Sequence, residues 1–155
     1  MAIITQKNSH QEAEYVLGTH DAELARLSLQ HKLWSGSAFD CWERTGIGPG
    51  KIILDLGCGP GYTTLDLAAL VAPTGQVLAI DESTRFIGHL RKQQQVLNLT
   101  NIDVRVMDSQ YLDIDEASID VVYTRWVLCY VPDPEAVIQG VVKALRPGAV
   151  FAVQD

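Results

Sequence analysis

A chain of 155 residues, 47% hydrophobic and 20% charged, has the size and composition of one compact globular unit rather than a disordered segment. The formal net charge of -7, from 19 acidic and 12 basic residues with no lysine or arginine cluster, excludes the electrostatic footprint of a nucleic-acid binder. Apolar runs such as Ala149 to Val153 fall far short of the roughly 20 residues that span a bilayer, so a membrane is not an expected partner either.

Met1 to Glu12 lacks a basic start and a long apolar stretch, which is not the pattern of a secretory signal, and a cytoplasmic location is expected. Cys41, Cys58 and Cys129 are odd in number and show no metal-ligand spacing. In a reducing compartment they read as free, buried thiols, and no metal site is expected.

Residues 1 to 18 are polar and aperiodic until Tyr15-Val16-Leu17-Gly18 and read as a loosely held leader. From Thr19 or Asp21 a helix is predicted, with Leu24, Leu27, His31 and Trp34 recurring on one face. Ser35-Gly36-Ser37 is expected to break it, with a second short helical piece over Phe39 to Arg44 and a glycine-rich connector from Gly46 to Gly50.

Past the connector, strand-like and helix-like segments alternate, the pattern of parallel strands joined by crossover helices. The strands predicted are Lys51 to Leu54, Val77 to Ile80, Ile102 to Val106, Ile119 to Tyr123 and Ala149 to Val153. Helices are predicted over Tyr62 to Ala72, after a Ser83 cap with Phe86, Ile87, Leu90 and Leu97 inward, and after an Asp133 cap. In the last of these Pro134 opens the first turn, and Val137, Ile138, Val141, Val142 and Leu145 form the stripe expected to be buried. No internal repeat or low-complexity tract interrupts the series.

The chemistry concentrates in the turn after the first strand, Asp55-Leu56-Gly57-Cys58-Gly59-Pro60-Gly61. Glycines there let the backbone bend sharply and approach a ligand. A dinucleotide fingerprint requires G-x-G-x-x-G, whereas here the third glycine arrives one residue early and Tyr62 stands in its place. The Asp55 carboxylate at the strand end would repel a pyrophosphate but attract an ammonium or a sulfonium, and the helix-terminal amides suit a single carboxylate.

Ile53-Leu54-Asp55-Leu56-Gly57-Cys58-Gly59-Pro60-Gly61 resembles the first motif of the class I S-adenosylmethionine-dependent methyltransferases. The resemblance implies a three-layer α/β Rossmann-like fold, a doubly wound parallel sheet of strand order 3-2-1-4-5 with an N-terminal helical cap. Residues 1–46 would form the leader and cap and 47–155 the S-adenosylmethionine-binding domain, truncated after the fifth strand because the final strands of the family fold do not follow. A bare fifth strand would be an exposed edge, which makes a homodimer plausible.

By the same resemblance Asp55, Gly57, Cys58, Gly59 and Gly61 shape the pocket for the methionine part of the cofactor. Asp81, about 20 residues beyond Gly61, would accept from the ribose hydroxyls, with Glu82 as its rival. Asp108 and Ser109 would face the adenine. Arg125, in Tyr123-Thr124-Arg125-Trp126-Val127-Leu128, would meet the cofactor carboxylate or else pair with Asp120 or Asp133 on the surface.

The reaction implied is in-line transfer of a methyl group to a small-molecule acceptor, leaving S-adenosylhomocysteine. Such a displacement depends on alignment and water exclusion, so no obligatory catalytic residue has to show in the sequence. Tyr15, His20, His31, Tyr130 and Asp133 are candidates for a base or a substrate contact, with Trp34 at the mouth; His31 reads more as a packing residue in an apolar seam. The segment after the fourth strand lacks the Asn/Asp-Pro-Pro-aromatic motif of base and glutamine methylation, which favours a small metabolite. An NAD-dependent oxidoreductase and a non-catalytic cofactor-binding module are the alternatives.

Overall fold

The computed structural model describes residues 21 to 155, so Tyr15 and His20 lie outside the described residues. The elements are α1 (Asp21–Thr45), β1 (Ile52–Leu56), α2 (Tyr62–Val71), β2 (Gln76–Asp81), α3 (Thr84–Val96), β3 (Ile102–Val106), β4 (Ile119–Arg125), α4 (Pro134–Ala144) and β5 (Leu145–Gln154). The strands form one sheet in the order β3-β2-β1-β4-β5, with every neighbouring pair parallel. This is the order the resemblance implied.

The continuous apolar character of β1 and β2 follows from burial on both sides. Ile53, Val77, Ala79, Val121 and Tyr123 pack toward α1, α2 and α3, where they meet Trp42, Leu67, Ile87 and Leu90. Their alternates Leu54, Leu56, Leu78, Ile80 and Val122 pack on the opposite face with Val137, Val141 and Ala144 of α4. The sheet is therefore the middle layer of three.

Several sequence expectations are corrected. Helix α1 runs unbroken through Ser35-Gly36-Ser37. Ser35 turns its hydroxyl back onto the carbonyl of Lys32 (2.9 Å), and the buried Ala38 and Trp42 beyond the weak point anchor the same helix in the core. Tertiary burial here outweighs a glycine penalty of only about 1 kcal/mol. The stripe on α4 is narrower than its periodicity predicts, because Ile138 (43%) and Val142 (63%) are exposed, and Leu97, just past α3, is exposed too. Trp34 is half exposed, and Cys129 is exposed while Cys58 is buried and Cys41 lies between; all three thiols are free as expected. Strand β5 starts four residues early, at Leu145, with a register irregularity against β4 between Ile119 and Val121.

Strand order reverses at β1, which lies between β2 and β4. Successive crossovers leave β1 in opposite directions, so their loops part and open a crevice at the carboxyl ends of the strands. No helix among the described residues is long and apolar enough to cross a membrane.

Two substitutions in α1 test this packing. Trp42, 1% exposed and edge-on to Tyr123 at 5.5 Å, should cost about 3–5 kcal/mol when replaced by alanine, read from the midpoint of urea unfolding. A Cβ at Gly36 would meet nothing within 4 Å, so Gly36→Ala should raise stability by roughly 0.5–1 kcal/mol; a loss would show that the helix is strained there.

Candidate functional site

The crevice is a cavity of about 350 Å³, within the size range of small-molecule sites. Its floor is the turn after β1, one side is formed by the ends of β2 and β3, and the other by the segment following β4. Helix α1 closes it from above with Arg26, Leu27, Gln30 and His31.

The turn requires its glycines for different reasons. Gly57, Gly59 and Gly61 all have positive φ, at 71°, 54° and 91°. A Cβ on Gly57 would strike Val127 at 2.3 Å, and one on Gly61 would strike Leu90 at 2.3 Å. Gly61 does not line the cavity; it caps α2 and lets α3 pack close against that cap. The other nine residues singled out from the sequence, Asp55, Gly57, Cys58, Gly59, Asp81, Glu82, Asp108, Ser109 and Arg125, all face the cavity.

Hydrogen bonds inside the turn decide what it offers a ligand. The amide of Cys58 donates to the carbonyl of Ile80 (2.9 Å), that of Gly61 to the carbonyl of Cys58 (3.1 Å), and that of Gly59 to Oδ2 of Asp81 (2.8 Å). Pro60 has no amide hydrogen to give. The amides of Cys58, Gly59 and Gly61 are thus engaged within the chain, unlike those of a phosphate-cradling loop.

Four carboxylates border the same space. Asp55 is buried and its Oδ2 accepts from the Thr64 hydroxyl at 2.6 Å; burial pushes its pKa up to about 6 despite that hydrogen bond and the nearby Arg125. Asp81 takes the Gly59 amide on one oxygen and the Ser83 amide (2.9 Å) on the other, and burial raises it as well. Glu82 is raised by partial burial and by the neighbouring charges of Asp81 and Asp108. Asp108 holds its own loop, accepting from the backbone amide (2.8 Å) and side-chain amide of Gln110. Such an arrangement is relieved by a cation and aggravated by an anion. Cys58 is the reverse of an activated nucleophile, since burial and the adjacent Asp55 and Asp81 keep its thiol protonated.

Arg125 pairs with neither Asp120 nor Asp133. Asp120 accepts from Arg146 (2.7 Å) and the Ile52 amide (2.8 Å), and Asp133 caps α4 through the Ala136 amide (3.0 Å). The guanidinium instead lies 4.8 Å over Trp126 and reaches Thr63 Oγ1 (3.1 Å) and His31 Nδ1 (3.2 Å). His31, expected as a packing residue, is a polar bridge whose other ring nitrogen meets Asp66 at 2.9 Å. Of the other candidates, Tyr130 lines the cavity and Asp133 does not. Thr63, Met107, Gln110 and Trp126 also line it and were not singled out for this role from the sequence; Trp126 bears a positive φ of 54°, a strained setting for a non-glycine residue that its position directly after β4 makes notable.

The buried Asp55 makes stability depend on pH. Its proton leaves near 3.8 when exposed and near 6 in the fold, so the fold holds the extra proton between these values. The associated stability is full below pH 3.8 and lost as pH rises through about 6, by a margin of the order of 3 kcal/mol. Urea midpoints measured from pH 4.5 to 8 should therefore fall less steeply for Asp55→Asn than for the unmodified chain, and parallel profiles would refute the assignment.

Residues 47 to 155 match a family model described as a methyltransferase domain. Similar proteins include the demethylmenaquinone methyltransferase of Lactococcus lactis, 31% identical over 77% of this chain and 46% of its own length. The arsenite methyltransferase of Halobacterium salinarum is 29% identical over 69% of this chain and 27% of its own, and the demethylmenaquinone methyltransferase of Oceanobacillus iheyensis 26% over 92% and 59%. The chain thus spans from about a quarter to three fifths of the length of these relatives. In fold it is similar to an S-adenosylmethionine-dependent methyltransferase from Aquifex aeolicus, with a TM-score of 0.70 at 20% identity over 74% of this chain and 61% of that one. A geranyl diphosphate methyltransferase gives 0.72 at 19% identity over 79% and 45%. With the family model covering most of the chain, the protein belongs to the S-adenosylmethionine-dependent methyltransferases.

Proposed function

We propose that the cavity binds S-adenosylmethionine and that the chain directs methyl transfer to a small-molecule acceptor. The single observation that carries this reading is the pairing of an acidic rim with a turn in which the amides of Cys58, Gly59 and Gly61 are already engaged. That combination suits a sulfonium and an ammonium, and it is poorly suited to the diphosphate of a dinucleotide.

Asp81 keeps lone pairs for ribose hydroxyls after accepting from two amides, since a carboxylate offers about four acceptor sites. Glu82 stands beside it at the exposed edge. Asp108 and Ser109 face the adenine side, with Ile80 and Met107 supplying apolar contact. Asp55, Arg125 and the first-turn amides of α2 attend the amino-acid part, and Gly57 and Gly59 permit close backbone approach. Residues 47–155 form this cofactor domain, and the described part of 1–46, α1, acts as its cap.

The bound donor supplies an electrophilic methyl group. That methyl group would pass to a lone pair of the acceptor, with the electron pair of the carbon–sulfur bond left on sulfur. The chain's own contribution is to hold the partners in line and keep water out, which can supply roughly 7–11 kcal/mol. Leu27 and Gln30 above, and Trp126, Val127, Tyr130 and Val131 beside, are the groups that exclude water. The relatives' names mention menaquinone precursors, arsenite and trans-aconitate, all small molecules, and the acidic balance of the chain agrees with a metabolite acceptor rather than nucleic acid.

Titration with S-adenosylhomocysteine should raise the melting temperature, the stabilisation reaching about 2.7 kcal/mol at a hundredfold excess over Kd. NAD should leave it unchanged. Asp81→Ala should weaken that binding by at least about tenfold. A response to NAD alone would refute the reading. Transfer of labelled methyl to a panel of quinols, arsenite and small carboxylic acids then identifies the acceptor.

A further inference from the structure

Arg125 is held on three sides, and on the fourth it carries a nitrogen with no partner among the described residues. Nη2 donates to Thr63 Oγ1 and His31 Nδ1, and Trp126 lies beneath the guanidinium plane. Nη1 is buried and has no hydrogen-bond partner, while the residue lines the cavity. A buried guanidinium nitrogen without an acceptor marks the place of an absent anionic oxygen, because such donors are otherwise satisfied.

The bonds around His31 define its chemical state. A guanidinium only donates, so the Nδ1 that faces it must present a lone pair. The ring proton therefore sits on Nε2 and is donated to Oδ2 of Asp66, 2.9 Å away. With its lone pair facing Arg125, the imidazole is not a free general base. Asp66 from α2 and His31 from α1 form a brace across the mouth of the site, assisted by the Tyr62 hydroxyl, which donates to the carbonyl of Leu24 (3.1 Å), and by the stacking of Tyr62 on His31.

We infer that His31, oriented by Asp66, is a positioning residue that aims Nη1 of Arg125 at a carboxylate of the bound ligand. This rests on the cofactor reading above. The carboxylate is either the α-carboxylate of the methyl donor or one borne by the acceptor; Thr63, in the first turn of α2, lies where helix-terminal amides would share the same anion. The role is distinct from packing, since it predicts selectivity for one functional group.

The test compares two ligands that differ at that group alone, S-adenosylhomocysteine and decarboxylated S-adenosylhomocysteine, by calorimetry on the full chain. His31→Ala should weaken S-adenosylhomocysteine about tenfold and change the decarboxylated ligand less than about twofold. His31→Asn, which can place an amide oxygen near the position of Nδ1, should recover most of the loss. Asp66→Asn should show the same ligand selectivity with a smaller effect. If His31→Ala leaves both ligands unchanged but raises KM only for carboxylate-bearing acceptors, at constant kcat, the carboxylate is the acceptor's and the inference stands. Equal weakening of both ligands, or no effect on ligands and acceptors alike, overturns it. Failure of the unmodified chain to bind S-adenosylhomocysteine would instead bring down the cofactor reading itself.

Discussion

The carboxylate of Asp81 is the constraint around which the crevice is organised. It sits at the end of β2, buried, and its two oxygens accept the amides of Gly59 and Ser83. Its backbone carbonyl accepts the amide of Met107 (3.0 Å), just past β3. One residue thereby joins the turn after β1, the approach to α3 and the exit from β3. A buried carboxylate is costly unless charge-assisted hydrogen bonds satisfy it, and two backbone donors do so here without any mobile side chain. The left-handed backbone at Gly59 follows the same requirement, since it lets the amide turn toward Asp81. A preorganised acidic wall results, fixed by backbone donors rather than by mobile side chains.

Legibility in the sequence follows from how far apart the interacting residues lie. The turn from Asp55 to Gly61, its acidic companion Asp81 and the alternation of strands and helices are local patterns, and each has its physical counterpart in the fold. The Arg125 brace was not legible in this way, because its partners Thr63 and His31 are 62 and 94 residues away in sequence. Asp66 and His31 are likewise 35 apart. Only the folded chain, by laying α1 over α2 and the end of β4, brings them together. Polar residues on a helix otherwise read as a solvated face or a seam, which is how His31 was read.

The corrections to α1 and α4 share one cause. Periodicity identifies which residues can face a core, but it does not say how much of that face the core covers. In α4 the sheet takes Val137, Val141 and Ala144 and leaves Ile138 and Val142 outside. In α1 the reverse happens, for a segment with weak local helical preference is carried along because Ala38 and Trp42 are buried beyond it. Local preference sets a bias of about 1 kcal/mol, and burial of one large side chain exceeds it.

The unequal settings of the three cysteines give the molecule a natural attachment point. Cys58 is buried within the glycine turn and Cys41 is partly shielded against the core, whereas Cys129 stands in the open. Its neighbour Tyr130 and the following Val131 both border the cavity. A thiol-directed dye would therefore settle first at the rim of the entrance, where its emission would follow traffic into the crevice without any engineered residue.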